Sequence, residues 1–122
     1  MKPVYLDYAA TTPVDPRVVE GMLPFFSDSF GNPSSLYSFG RTARRAVEEA
    51  RRKVAALIGA PSDSVYFTSG GSESDNWIVK GIARTMLLSG RKCRIVTTPI
   101  EHQAILSACA QVKKEGAEVF YL

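Results

Sequence analysis

The segment FTSGGSESDNW, from Phe67 to Trp77, joins a β-like stretch to an amphipathic helix through three small residues. A helix N-terminus leaves about four backbone N–H groups unpaired and carries about half a positive charge. Because Ser69 to Ser72 are all small, an anion such as phosphate can approach this backbone, and Ser72 can cap the helix and offer a hydroxyl. On the local pattern alone, a capped turn that binds no ligand is the simpler interpretation.

His102 is the second candidate for chemistry, because it is the only histidine in the chain and follows a predicted strand at the start of a helix. The carboxyl ends of parallel strands line one edge of a sheet, so His102 and the turn at Gly70 to Ser72 are predicted to share that edge. A single histidine is ordinarily a surface or satisfied core residue. Its placement is what favours a functional role.

The hydrophobic pattern around these residues alternates between the period of a strand and the period of a helix, and it predicts the elements that position them. Strands are predicted at Ser64 to Thr68, Cys93 to Thr98 and Ala117 to Leu122. Helices are predicted from about Ser72 to Ser89 and from Glu101 to Glu115, ended by Gly90 and Gly116. This order of strand, helix, strand, helix, strand predicts an α/β fold with a mostly parallel sheet and flanking helices.

Upstream of these elements the pattern is helical. Asp15 and Pro16 predict an N-cap followed by proline at the first helical position, and Phe30 to Ser35 predicts a loop. A long helix is predicted from about Ser38 to Ile58, with Gly59 beyond its end. Its predicted buried stripe consists of small and aliphatic residues: Ala43, Ala46, Val47, Ala50, Val54 and Leu57.

Composition excludes several classes of protein. The 122 residues are 45% hydrophobic and 22% charged, with a net charge of +3, as in soluble globular domains. The basic run from Arg41 to Lys53 has no interleaved aromatic residues, which favours a solvated helix face over a nucleic-acid site. The N-terminus has no secretory pattern and no stretch is long enough to span a membrane, so a cytoplasmic location is predicted.

Cys93 and Cys109, the two cysteines, lie in apolar patterns and lack the spacing of a metal or redox site. Both are predicted to be buried structural thiols, and no metal site is predicted.

The last predicted strand ends the sequence with no helix after it to cover the sheet. Both faces of a parallel sheet are normally covered, so the chain is expected to be the first part of a larger α/β domain. We expect residues 1–15 to form an N-terminal arm and residues 16–122 to form the incomplete large domain.

Four motifs in the same order resemble the N-terminal part of cysteine desulfurases, in the class V aminotransferase branch of pyridoxal-phosphate enzymes. They are YLDYAATTPVDPRV (Tyr5 to Val18), FGNPSS (Phe30 to Ser35), FTSGGSESDN (Phe67 to Asn76) and TPIEHQAIL (Thr98 to Leu106). Together they extend over the whole chain. The resemblance implies the N-terminal portion of the type I fold of pyridoxal-phosphate-dependent transferases.

The resemblance also implies roles for three residues. Gly71 and Ser72 would bind the phosphate of pyridoxal 5'-phosphate, and His102 would stack on its ring and help to move protons during catalysis. An imidazole suits both tasks, because it is flat and exchanges protons near neutral pH. The family takes sulfur from L-cysteine, releases alanine and leaves a persulfide on an enzyme cysteine for iron–sulfur cluster assembly or other acceptors. The implied partners are a sulfur acceptor or scaffold protein, the rest of the desulfurase chain and a second copy in a homodimer, with no nucleic acid or membrane.

The resemblance further implies that these 122 residues are inactive alone, because the lysine that binds the cofactor and the cysteine that receives sulfur lie later in relatives. The lysines present do not match that context: Lys2, Lys53, Lys80, Lys92, Lys113 and Lys114. Two alternatives stay open. One is a selenocysteine lyase or another class V aminotransferase, and the other is a non-catalytic interaction module. A nucleotide-binding domain would need a glycine fingerprint that the sequence lacks.

Overall fold

The structure, a computed structural model, describes residues 3–122. The chain divides into two units, of which the first ends at Tyr66 and the second begins at Phe67. The first unit is helical, whereas the second contains helices and a parallel sheet.

The first two helices of the first unit are short, α1 (Pro16–Met22) and α2 (Pro24–Ser27), and follow a non-helical segment that includes residues 3–15. The predicted cap is confirmed, because the Asp15 carboxylate accepts a hydrogen bond of 2.8 Å from the backbone N–H of Arg17. Pro24 separates the two helices, since proline has no N–H to continue the hydrogen-bond ladder of α1.

Helix α3 (Ser38–Ile58) has the predicted bounds and ends at Gly59, whose φ of 65° lies in the left-handed region that glycine favours. The predicted buried stripe is partly wrong. Ala43 is buried, but Val54 and Leu57 are exposed, Leu57 at 85%. Ala50 is exposed as well, whereas Ala55, which the prediction left out, is buried. The covered face of α3 near its end therefore includes Ala55 and not Ala50, Val54 and Leu57, and apolar spacing alone does not show which face is covered.

The loop before α3 packs closely against its first turns. Gly40 is buried, and a Cβ built on it would lie 2.3 Å from the carbonyl oxygen of Ser35 and 2.7 Å from that of Asn32. The Arg44 guanidinium donates a 3.0 Å hydrogen bond to the Pro33 carbonyl, so α3 also binds this loop through a side chain.

The predicted strand at Ser64 to Thr68 is wrong. Ser62–Ser64 form a 3₁₀ turn, and the residues up to Thr68 lie outside the sheet, which has two strands in the part of the chain that is described. Val65 is buried and its carbonyl accepts a hydrogen bond from the Arg51 guanidinium. The β-branched and aromatic composition of this stretch is typical of a strand. A strand also needs an adjacent strand to pair with its backbone N–H and C=O groups, and composition does not predict whether one is present.

The second unit contains α4 (Gly71–Leu88), β1 (Arg94–Thr97), α5 (Gln103–Lys114) and β2 (Glu118–Tyr121). Each lies within one or two residues of its predicted bounds, and both predicted glycine stops have positive φ, 71° at Gly90 and 110° at Gly116. The strands are parallel and α5 forms the crossover between them, as parallel pairing requires.

The core of this unit lies between its helices and one face of the sheet. Cys93, Cys109 and Val112 are buried there, which confirms the prediction that both cysteines are core residues. Burial raises the pKa of the Cys109 thiol, and the charge of Glu101 adds to that effect.

Candidate functional site

The glycine turn before α4 leaves the helix N-terminus open. Gly70 is the N-cap residue, in an extended conformation, and in the described chain no side chain caps the helix. The prediction that Ser72 caps α4 is therefore wrong, because the helix starts one residue earlier and Ser72 lies inside its first turn. A Cβ built on Gly70 or Gly71 would meet nothing within 4 Å, so the space beside the turn is open.

Two side-chain bridges connect the residues on either side of this turn. Glu73 Oε2 accepts hydrogen bonds from the N–H and the hydroxyl of Ser69, both at 2.7 Å. The hydroxyl oxygens of Thr68 and Ser74 lie 2.8 Å apart and share a hydrogen bond. The hydroxyl and then the N–H of Ser69 hold the pKa of Glu73 below its usual value, so the carboxylate is charged at neutral pH.

The bond from Glu73 to Ser69 is not among the features predicted from the sequence. A signal for it was present. In a capping box, an acidic residue three positions after the N-cap reaches back to a backbone N–H before the helix. Here the carboxylate reaches one residue further back than usual.

His102 is the N-cap residue of α5, which confirms its predicted place at the start of a helix. Its Nδ1 accepts a 3.1 Å hydrogen bond from the backbone N–H of Ala104. An Nδ1 atom that accepts this bond leaves Nε2 as the ring nitrogen that carries a proton, and the side chain is exposed. The ring is held through one nitrogen while the other stays available.

Helices α4 and α5 pack together with their C-terminal ends adjacent. The Arg84 guanidinium binds the Glu115 carboxylate through two hydrogen bonds of 2.8 and 2.7 Å. At 1.5 Å per residue, α4 extends back from Arg84 by roughly 20 Å to Gly71, and α5 extends back from Glu115 by roughly 18 Å to Gln103. The helices also pack on each other away from this ion pair, and Val79 in α4 and Ile105 in α5 contact the same core cluster nearer the N-termini. The two N-termini therefore lie toward the same end of the unit.

The helix pair thus brings the turn and His102 to the same end of the second unit, although the sheet-edge argument used a strand that is absent. His102 also follows the carboxyl end of β1, with Pro99 between them. This end of the unit combines open backbone N–H groups with an imidazole, which suits an anionic ligand that carries a flat ring.

In residues 3–122, His, Cys, Asp and Glu side chains do not form a group of three that could hold a metal ion. None of the helices in that range is both long and apolar enough to cross a membrane.

Comparison with known proteins extends over nearly the whole chain. Cysteine desulfurase IscS of Methanosarcina thermophila is 50% identical over 121 residues, which are 99% of this chain and 30% of that protein. This chain thus spans about a third or less of the length of the curated relatives it matches.

Solved structures show the same arrangement. A NifS-like protein matches 98% of this chain and 32% of its own chain with a TM-score of 0.90 and 43% identity. SspA in complex with cysteine matches 97% of this chain and 33% of its own with a TM-score of 0.87 and 41% identity. These matches confirm the predicted fold class, the N-terminal portion of the type I fold of pyridoxal-phosphate-dependent transferases. Because residues 4–122 match the aminotransferase class V family, the chain belongs to that family.

Proposed function

We propose that this chain is the N-terminal part of a cysteine desulfurase that uses pyridoxal 5'-phosphate. The observation that carries the proposal is the 50% identity with a cysteine desulfurase over 99% of the chain. A similar solved structure in complex with cysteine supports L-cysteine as the substrate. The chain spans 30% of that relative, so the activity belongs to the larger enzyme.

The residues at the end of the second unit fit the cofactor. Gly71 and Ser72 offer the first N–H groups of α4, Ser72 adds a hydroxyl, and neither glycine of the turn has a neighbour that would exclude a phosphate. We assign phosphate binding to Gly71 and Ser72, where the helix dipole also favours an anion. When bound, pyridoxal phosphate supplies an electron sink for breaking bonds at the substrate.

His102 acts beside the cofactor in this proposal. Its bond to Ala104 fixes the ring through Nδ1, which leaves Nε2 as the atom that exchanges a proton with the substrate. The flat imidazole also stacks on the cofactor ring and so holds it in place. In this proposal, proton exchange and stacking both require the ring to be held in place, and the hydrogen bond at the N-cap of α5 holds it.

The thiol that receives sulfur lies outside this chain in our proposal. A sulfur acceptor must be an exposed thiolate, whereas Cys93 and Cys109 are buried and burial raises the pKa of Cys109. We therefore expect the 122 residues to be inactive alone. In the complete enzyme, we expect residues 1–15, of which the first two lie outside the described residues, to form an arm and residues 16–122 to form the first part of the large domain. We propose that this enzyme is a cytoplasmic homodimer that passes sulfur to an acceptor or scaffold for iron–sulfur cluster assembly.

The test is to supply the native polypeptide that carries this sequence with pyridoxal phosphate and L-cysteine, and to measure alanine. We expect alanine in proportion to sulfide or persulfide, and a His102→Gln variant that binds the cofactor but forms alanine at least about a hundred times more slowly, as expected for loss of a general acid–base. Release of alanine from L-selenocysteine alone would identify a selenocysteine lyase instead. A protein that binds no cofactor but forms a defined complex with a desulfurase would be an interaction module.

A further inference from the structure

Glu73 holds the two sides of the glycine turn together. Its Oε2 atom accepts both hydrogen bonds from Ser69, at 2.7 Å each, and Ser69 lies before the N-cap residue whereas Glu73 lies inside the helix. The backbone between them includes Gly70 and Gly71. Glycine has the largest backbone freedom of any residue, and no atom near the Cβ positions of these two glycines confines them.

We propose that Glu73 is a positioning residue for phosphate binding: its carboxylate, through Ser69, holds the turn in the conformation in which Gly71 and Ser72 present their N–H groups. This inference rests on the proposed function, because it assumes that the turn binds the cofactor phosphate. Glu73 acts through Ser69 and the turn, and Gly71 and Ser72 provide the contacts with the phosphate.

The bridge also directs the charge of Glu73 away from the site. A carboxylate in the first turn of a helix is attracted to the same N–H groups that would bind phosphate. While the N–H and hydroxyl of Ser69 occupy this carboxylate, those helix N–H groups stay available. Releasing Glu73 from Ser69 would therefore both loosen the turn and introduce a competitor for the phosphate site.

The test compares two ligands that differ only in the phosphate. Dissociation constants for pyridoxal 5'-phosphate and for pyridoxal are measured by absorbance titration on the cofactor-free native polypeptide that carries this sequence. The Glu73→Ala variant removes both bonds. The Glu73→Gln variant keeps a carbonyl oxygen that can accept both, because the two bonds go to a single carboxylate oxygen. Asp75→Ala is the matched control, since it removes a carboxylate from the same turn without touching the bridge.

We expect Glu73→Ala to bind pyridoxal phosphate about tenfold more weakly, the effect of losing a typical helix-capping interaction, with pyridoxal affinity changed less than about twofold. Glu73→Gln is expected to stay within about threefold of the unaltered protein, and Asp75→Ala to bind at least as tightly as it. If Glu73→Ala does not fold, Ser69→Ala removes the hydroxyl bond alone and is expected to weaken phosphate-dependent binding by about threefold.

Three results would overturn the inference: equal losses in Glu73→Ala and Asp75→Ala, equal losses for both ligands, or a Gln variant as weak as the Ala variant. A different result addresses the proposed function itself. If the unaltered protein binds pyridoxal as tightly as pyridoxal phosphate, the turn does not bind the phosphate.

Discussion

A methyl group at Gly40 has no space in this structure. The Cβ of a Gly40→Ala variant would lie 2.3 Å from the Ser35 carbonyl oxygen and 2.7 Å from that of Asn32. Both neighbours are backbone atoms, so the loop as a whole must move, whereas a flexible side chain could simply rotate away.

The magnitude follows from three contributions. Overpacking of this kind costs about 1–3 kcal/mol. Movement of the loop also weakens the Arg44 to Pro33 hydrogen bond, which contributes about 1 kcal/mol. Alanine in place of glycine gains back up to about 1 kcal/mol through helix propensity. We therefore expect a net loss of about 2 kcal/mol in the free energy of unfolding.

The assay is urea unfolding followed by circular dichroism, with Gly81→Ala in α4 as the control. The nearest atom to a Cβ at Gly81 is Trp77 Cδ1 at 3.7 Å, an ordinary contact, so this variant is expected to gain up to about 1 kcal/mol. The two alanine variants should therefore move the urea midpoint in opposite directions. If Gly40→Ala is as stable as Gly81→Ala, the close packing of the loop on α3 is refuted.

Three further predictions concern other residues. Val112 is fully buried and Val96 is 62% exposed, so Val112→Ala should lower the free energy of unfolding by about 2 kcal/mol and Val96→Ala by less than about 0.5, as urea unfolding will show. Hydrogen bonds from Arg84 and then Gln111 lower the pKa of Glu115 to about 2 from 4.5, so its stabilising contribution is complete above about pH 4.5 and is lost as the pH falls toward 2. Thermal unfolding against pH should show that decline, and Glu115→Gln should lack this part of it. Cys109 is buried with a raised pKa, so Ellman's reagent at neutral pH should label it at the rate of unfolding, and fast labelling of the folded protein would contradict the structure.

The sequence predicts the elements of this chain well where both ends carry a local signal. Helix α3 has its predicted bounds because a glycine in the left-handed region ends it, and α4 and α5 end near their predicted glycines for the same reason. The failures depend on partners distant in sequence. The stretch at Ser64 to Thr68 has strand composition but lies outside the sheet, and Leu57 is exposed near the end of α3 although Ala55 near it is buried.

The candidate site was predictable in composition but not in detail. The sequence placed small residues and His102 at helix starts, and the structure has both at one end of the second unit. It assigned the cap of α4 to Ser72, because a serine beside glycines is the usual capping residue, and it did not foresee the bridge from Glu73 to Ser69. Both features depend on the residue at which α4 starts. A start one residue earlier or later changes which side chain lies at the cap and which backbone N–H the Glu73 carboxylate can reach. The roles of Gly71, Ser72 and His102 stay predictions.

The division of the chain at Tyr66 has a consequence for the order of events during synthesis. Each unit consists of consecutive residues, so the first can consolidate on the ribosome before the second has been made. The second unit must wait longer, because Arg84 and Glu115 are 31 residues apart, and Arg94 and its partner Glu118 on β2 are 24 apart. Its helices and strands can meet only after nearly all of its residues have emerged. We therefore expect a chain that ends within α5, once released from the ribosome, to be cut by protease in the second unit, and a chain that includes β2 to resist cutting there.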